Sequence, residues 1–140
     1  MKTLFIIFLS FIGYTETSIQ VPTWKKEQLM LTIELSTKIK TNAKDKPLIF
    51  NVGPMENIKG AVAVGAATNV TFGSKIQSYL TMESKTKPIV VYCGCCSYAS
   101  CPNIKPAYDY LIGQGFKNTK VLELPDGIKP DWVAKGYPTE

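Results

Sequence analysis

Short apolar runs alternate with segments of helical periodicity along most of the chain. The apolar runs are rich in β-branched residues and predict buried strands at residues 47–52, 61–64, 89–92 and 118–124. Helical patterns precede, separate and follow them, at residues 24–30, 36–42, 72–82, 107–112 and 130–135. Strands that alternate with helices predict the α/β fold class, with a central, mostly parallel sheet and helices on both faces.

The composition fits one domain over residues 21–140. The chain has 140 residues, of which 45% are hydrophobic and 19% charged, as in an ordinary globular protein. The net charge of +5 comes from scattered lysines, since arginine and histidine are absent from the sequence. A scattered charge indicates a solvated surface, so we expect no nucleic-acid partner. Without histidine or arginine, Cys-His catalysis and bidentate guanidinium clamps on anions are excluded.

Residues 1–18 predict a secretory signal peptide. Lys2 precedes an apolar stretch at residues 4–12, and a short polar segment follows it. The stretch is too short to span a bilayer. We therefore expect a periplasmic or secreted protein that contacts a membrane only if the segment stays uncleaved as an anchor. In an oxidising compartment, disulfides among the cysteines become an alternative.

All four cysteines lie in the segment of residues 93–101, directly after the most apolar predicted strand. Sites in parallel sheets form at the carboxyl ends of strands, which is where Cys93 lies. Loop amides and the start of the following helix both favour negative charge on a nearby sulfur. We therefore expect Cys93 to be the most acidic of the four thiols.

The order and spacing of several segments resemble the rhodanese-like (sulfurtransferase) domain family over residues 23–140. The segments are residues 48–52, 58–61, 89–93, 115–118, Trp132 and residues 135–138. The Cys-Gly-Cys-Cys segment and the closing Asp-Trp segment are also similar to an exported bacterial subgroup with a cysteine-rich loop. The chain departs from the family pattern where Asn51 and Gly53 replace the usual Asp and Arg. The resemblance therefore implies the fold more strongly than it implies thiosulfate as the substrate.

The resemblance implies a sulfurtransferase in which Cys93 is the nucleophile and holds sulfane sulfur as a persulfide. It implies a small sulfur donor, a thiol acceptor and, as a further acceptor, a partner protein. Lys105 is the candidate anion-binding residue at the rim. The implied active-site loop comprises Gly94, Cys95, Cys96, Ser97, Tyr98 and Ala99.

The three further cysteines leave several alternatives open. Cys95, Cys96 or Cys101 resolves the persulfide, or Cys101 forms a disulfide with Cys95 or Cys96. Cys93 and Cys96 also form a C-x-x-C motif, which permits thiol–disulfide exchange. A non-catalytic module that carries sulfur or a soft metal ion is the alternative from another class. Because such tight spacing rarely closes a tetrahedral site, we expect no metal and no cofactor.

Overall fold

The structure of the protein is a computed structural model that describes residues 21–140. The predicted signal peptide at residues 1–18 lies outside the described residues, so export stays a prediction. Within residues 21–140, each helix is too short or too polar to cross a membrane.

In residues 21–140, five strands form one sheet in which every neighbouring pair runs parallel. The strands are β1 (Leu29–Met30), β2 (Leu48–Asn51), β3 (Ala61–Ala63), β4 (Ile89–Tyr92) and β5 (Thr119–Leu122). Their order across the sheet is β1-β5-β4-β2-β3, which places β4 at the centre. Ile89 of β4 pairs with Leu48 on one side and with Thr119 on the other. All residues of β4 are buried, as expected for a central parallel strand.

Within the described residues, four helices cover the two faces of the sheet. They are α1 (Thr32–Lys40), α2 (Phe72–Leu80), α3 (Ile104–Gly113) and α4 (Ile128–Asp131). α2 and α3 pack with Val91 and Cys93 in one core cluster. α1 and α4 pack with Val90 and Tyr92 in the other. Successive residues of β4 therefore face opposite layers, and the side chain of Cys93 belongs to the layer of α2 and α3.

The sheet, its parallel pairing and most element positions confirm the α/β prediction. The helix predicted at residues 24–30 is wrong, because a single 3₁₀ turn at Lys26–Gln28 is followed there by β1. Leu29 and Met30 pair with Val121 and Leu122, and this pairing overrides local helical preference.

Other helices differ from prediction in their limits, and α3 begins at Ile104 rather than at residue 107. α1 begins at Thr32 rather than at residue 36, because Thr32, Leu35 and Ser36 are all buried against the sheet. The closing helix is split into α4 and a 3₁₀ turn at Val133–Lys135. Trp132 lies between them, fully buried, and its indole N–H donates to the Pro138 carbonyl at 2.9 Å.

Candidate active site

The cysteine loop leaves the carboxyl end of the central strand. Cys93 directly follows β4, and α3 begins at Ile104, so the loop crosses the end of the sheet before the chain turns back. The Val52 N–H donates to the Tyr92 carbonyl at 2.8 Å, which extends the pairing of β2 and β4 up to the loop. Cys93 therefore lies where parallel sheets form their sites.

The loop folds so that its four thiols converge. The Sγ atoms of Cys93, Cys95, Cys96 and Cys101 all lie within 4.8 Å of one another. The Cys93 and Cys95 sulfurs are 3.2 Å apart, and the Cys95 and Cys96 sulfurs are 3.5 Å apart. All four are free thiols. Cysteines that are close together along the chain are therefore also close together in the fold.

The thiols differ in their access to solvent. Cys93 is 0% exposed and Cys101 is 4% exposed, and both belong to the core cluster under α2 and α3. Cys96 is half-buried, and Cys95 is exposed. The cluster thus has a closed side toward the core and an open side at Cys95.

Two backbone hydrogen bonds fix the loop to the segment after β5. The Ile128 N–H donates to the Gly94 carbonyl at 2.9 Å, and the Tyr98 N–H donates to the Leu124 carbonyl at 3.0 Å. Gly94 has φ of 81°, a conformation that favours glycine. A Cβ atom at Gly94 would lie 3.1 Å from the Cβ atom of Ile128. The loop is therefore anchored by contacts far from it in sequence.

Gly53 allows β2 to end directly against the nucleophile position. A Cβ atom on Gly53 would lie 2.0 Å from the Cys93 carbonyl oxygen and 2.8 Å from Cys93 Sγ. Asn51 holds the turn, because its Oδ1 accepts from the Gly53 N–H at 2.9 Å and its Nδ2 donates to the Met55 carbonyl at 3.0 Å. In the sequence, Asn51 and Gly53 are departures from the family pattern. Their contact with the site follows from the pairing of β2 with β4.

Tyr92 supports the same turn from the other layer. Its Oη accepts from the Ile58 N–H at 3.0 Å and donates to the Glu56 carbonyl at 3.1 Å. Burial raises the pKa of Tyr92 to about 12, so the hydroxyl keeps its donor proton near neutral pH. The sequence does not predict this role, since an aromatic residue in a strand indicates packing first.

The electrostatics of the thiol cluster differ from the sequence-based expectation. A hydrogen bond to Cys101, followed by burial, raises the pKa of Cys93. The same interaction lowers the pKa of Cys101. Burial raises the pKa of Cys95, and it raises the pKa of Cys96 to about 11. Cys93 is therefore not the most acidic thiol of the reduced cluster, because neighbouring thiols and burial outweigh the loop amides.

The remaining predicted site residues have mainly structural contacts. The Ser97 carbonyl accepts from the Cys101 N–H at 3.0 Å, which closes the turn that brings Cys101 back to the cluster. Ala99 donates its N–H to Ser97 Oγ at 3.4 Å, and Tyr98 packs against the core. Lys105 forms an exposed ion pair with Asp109 along α3. A role for Lys105 in anion binding stays a prediction.

Comparison with known proteins places this geometry in a fold. No protein-family model matches the sequence, and no curated protein matches it. Solved structures do match at TM-scores above 0.5. The rhodanese-like domain of an Anabaena protein matches with a TM-score of 0.56 and 21% identity, over 81% of this chain and 78% of that one. The chain has a rhodanese-like fold.

Two further structures with the same architecture support this assignment. BH2092 of Bacillus halodurans has a TM-score of 0.61 and 19% identity, covering 81% of this chain and 77% of its own. The single-domain sulfurtransferase RDL2 of Saccharomyces cerevisiae has a TM-score of 0.53 and 18% identity, covering 81% and 94%. The rhodanese-like fold inferred from the sequence is thereby confirmed.

Within this rhodanese-like fold, the cysteine loop supports several kinds of thiol chemistry. A thiolate is a nucleophile toward sulfur, and a second thiol at 3.2 Å is close enough to exchange with it after a small movement. The S–S bond of a disulfide is about 2.05 Å long, so the Cys93 and Cys95 sulfurs need to approach by roughly 1 Å to join. Thiolates also bind soft metal ions.

Proposed function

We propose that the chain is a sulfurtransferase that takes up sulfane sulfur and holds it as a persulfide on Cys93. One observation carries the proposal: Cys93 ends the central strand of a rhodanese-like fold, with the Cys95 thiol 3.2 Å from its own. Sulfur transfer needs a nucleophilic thiol and a route by which the sulfur leaves it again. A buried cysteine without a neighbouring thiol would require both the donor and the acceptor to reach it directly.

Solvent access suggests that sulfur passes through Cys95. Cys93 is 0% exposed, whereas Cys95 is exposed, so a donor meets Cys95 first. A Cys95 thiolate attacks the sulfane sulfur of the donor. A new S–S bond forms at Cys95, and the former carrier of the sulfur leaves with the electrons of the broken bond. Cys95 is then a persulfide.

The second step moves the sulfur to the buried position. The Cys93 thiolate attacks the outer sulfur of the Cys95 persulfide, and Cys95 leaves as a thiolate. The sulfane sulfur is then bound to Cys93 inside the apolar cluster beneath α2 and α3. Neither step is a net oxidation or reduction, and the reverse sequence delivers the sulfur to an external thiol.

An internal branch competes with delivery. If the Cys95 thiolate attacks Cys93 Sγ, the inner sulfur of the persulfide, a Cys93–Cys95 disulfide forms and the outer sulfur leaves as hydrosulfide. The two cysteines are thereby oxidised and the sulfane sulfur is reduced. Further turnover then requires a thiol reductant that returns both cysteines to thiols.

The substrate class follows from the chemistry of the loop. The donor is a small molecule that carries sulfane sulfur, and the acceptor is a thiol, either a small one or a cysteine of a partner protein. Gly53 leaves no side chain to clamp an anionic donor from β2. We therefore propose a donor whose recognition depends on its sulfur rather than on several oxyanion contacts.

Thiol–disulfide exchange through Cys93 and Cys96 is less well supported. In such motifs the second cysteine lies in the first turn of a helix, where the helix dipole stabilises a thiolate. Here α3 begins at Ile104, well after Cys96. The Cys93 sulfur is instead hydrogen-bonded to the Cys95 sulfur, at 3.2 Å.

Mass spectrometry of the reduced, metal-free protein tests the proposal. After one equivalent of a sulfane sulfur donor, we expect either the mass of one added sulfur atom or the loss of two hydrogens. The first marks a stable persulfide, and the second marks the internal disulfide. A persulfide on buried Cys93 should survive brief treatment with a bulky alkylating reagent. In Cys93→Ala this protected persulfide should be absent. An unchanged mass in the folded parent protein would contradict the proposal.

A further inference from the structure

The distances between the four converging sulfurs are similar to those in a tetrahedral metal site. In a tetrahedral thiolate site with metal–sulfur bonds of about 2.3 Å, neighbouring sulfurs lie about 3.8 Å apart. The sulfurs of Cys93, Cys95, Cys96 and Cys101 span 3.2 Å to at most 4.8 Å. We propose that this cluster binds one soft d¹⁰ metal ion, Zn(II) or Cu(I), through its cysteine sulfurs.

The donor set determines the class of metal. The four candidate ligands are all sulfur, and the chain has no histidine. Thiolates favour Zn(II) and Cu(I) over hard ions such as Mg²⁺ or Ca²⁺, which prefer oxygen. Binding displaces one proton from each thiol that becomes a ligand, so a loaded site replaces thiols with metal–sulfur bonds without any redox step.

Burial gives the cluster the form of a metal site with one open side. Cys93 and Cys101 lie in the apolar core, and Cys96 is half-buried between core and surface. Cys95 alone among the four is exposed, so an ion reaches the cluster from its side. An apolar shell on the inner side limits water and strengthens the attraction between thiolates and a cation.

The loop holds these ligands through backbone contacts rather than through the thiols themselves. Gly94, between two ligands, accepts a hydrogen bond from the Ile128 N–H at 2.9 Å. The Cys101 N–H donates to the Ser97 carbonyl at 3.0 Å, which turns the fourth ligand back toward the first three. The arrangement is therefore present before any ion binds, and sulfur shifts of about 1 Å or less reach tetrahedral spacing.

Metal and sulfane sulfur would use the same atoms. A thiolate that is bound to a metal ion is a poor nucleophile toward a donor, so a loaded chain should take up sulfur more slowly than the metal-free chain. The metal proposal does not depend on sulfur transfer, because metal binding is measured with no donor present. The failure of either proposal can therefore be recognised separately.

The test uses the reduced full chain without oxygen. Co(II) serves as a spectroscopic probe of tetrahedral thiolate ligation, Zn(II) as its competitor, and Cu(I) is added separately in the presence of a competing chelator. We expect one ion per chain by native mass spectrometry. If the site prefers Zn(II), thiolate-to-cobalt absorption should appear when Co(II) is added. It should then disappear when Zn(II) displaces Co(II). Binding of Cu(I) alone would identify a copper site of fewer thiolates.

Variants separate the cluster from accidental binding. Cys95→Ser removes an exposed ligand, so it should not affect folding, and Cys101→Ala removes a buried one. Loss of an outer-shell contact typically lowers metal affinity by about tenfold to hundredfold. Each of these variants loses a direct ligand, so its affinity should fall by more than that. Ser100→Ala, in the same loop, should bind as the parent does. The proposal would be overturned if the parent retained neither ion, or if Cys95→Ser and Cys101→Ala both bound as tightly as the parent.

Discussion

The sulfur atoms of Cys93 and Cys95 lie 3.2 Å apart, although the first is fully buried and the second is exposed. In this pair, one sulfur lies in the core of a rhodanese-like fold and the other faces solvent. In the proposed reaction, a persulfide on Cys93 would be shielded from external thiols, and sulfur would arrive and leave through Cys95. The separation of storage from access distinguishes the loop from a site with a single cysteine.

Exposure predicts the order in which the thiols react with bulky reagents. A large maleimide should modify Cys95 first in the reduced, folded protein, because it is the exposed thiol of the cluster. Cys93 and Cys101 should react only after unfolding. Timed quenching followed by peptide mapping measures the order. Early labelling of Cys93, with Cys95 still free, would show that the loop opens more readily than its contacts indicate.

The exposed thiol should also control the rate of sulfur uptake. Cys95→Ser leaves Cys93 in place but removes the first acceptor, so persulfide should form on Cys93 at least about tenfold more slowly. Stopped reactions analysed by intact mass measure this rate. Ser100→Ala is the matched control, since Ser100 lies in the same loop and is also exposed. Equal rates for the parent and Cys95→Ser would mean that donors reach Cys93 directly.

The contact between Gly53 and Cys93 predicts a strong effect of one methyl group. In Gly53→Ala the new Cβ would meet the Cys93 carbonyl oxygen at 2.0 Å, so β2 or the cysteine loop has to move. We expect a loss of about 3 kcal/mol or more in the free energy of unfolding. Denaturant titration provides the value.

Gly113→Ala is the control for this substitution. Gly113 ends α3, and a Cβ atom there would have no heavy atom outside the helix backbone within 4 Å. Alanine should stabilise the helix by up to about 1 kcal/mol. If the two variants had the same stability, the close approach at Gly53 would be wrong.

The Tyr92 hydroxyl should stabilise the turn beside the site. Tyr92→Phe leaves the buried Ile58 N–H without its acceptor, which costs about 1 to 3 kcal/mol in the free energy of unfolding. Tyr79→Phe removes a hydroxyl from a side chain that is 44% exposed, and it should change stability by less than about 0.5 kcal/mol. Thermal and denaturant unfolding of both variants compares them. If Tyr92→Phe and Tyr79→Phe were equally stable, the Tyr92 hydroxyl would contribute no stability and only its ring would.

The central strand was predictable from the sequence because burial on both faces produces a continuous apolar run. β4 covers the residues predicted for it, and Cys93 follows directly. β1 was not predictable in the same way. It has only two residues, and it is a strand because it pairs with Val121 and Leu122, about ninety positions away. The residues of β1 and their neighbours in sequence do not indicate this distant pairing partner.

The candidate site was predictable only in part for the same reason. The position of Cys93 follows from the end of a strand, but the convergence of Cys95, Cys96 and Cys101 depends on a loop anchored to Leu124 and Ile128. The acidity of the thiols was wrongly predicted because it depends on which sulfurs face one another. Gly53 acquires its meaning only once β2 is known to lie beside β4.

The central claim is that Cys93 holds the sulfane sulfur, and a variant with this single thiol tests it most directly. Metal-free protein carrying Cys95→Ser, Cys96→Ser and Cys101→Ala is checked for native circular dichroism and incubated with excess donor until the reaction ends. Its intact mass is then measured before and after reduction. We predict the gain of one sulfur atom that a reductant removes, and no gain when Cys93→Ala is added. A folded variant that retains Cys93 and gains no sulfur would contradict the account.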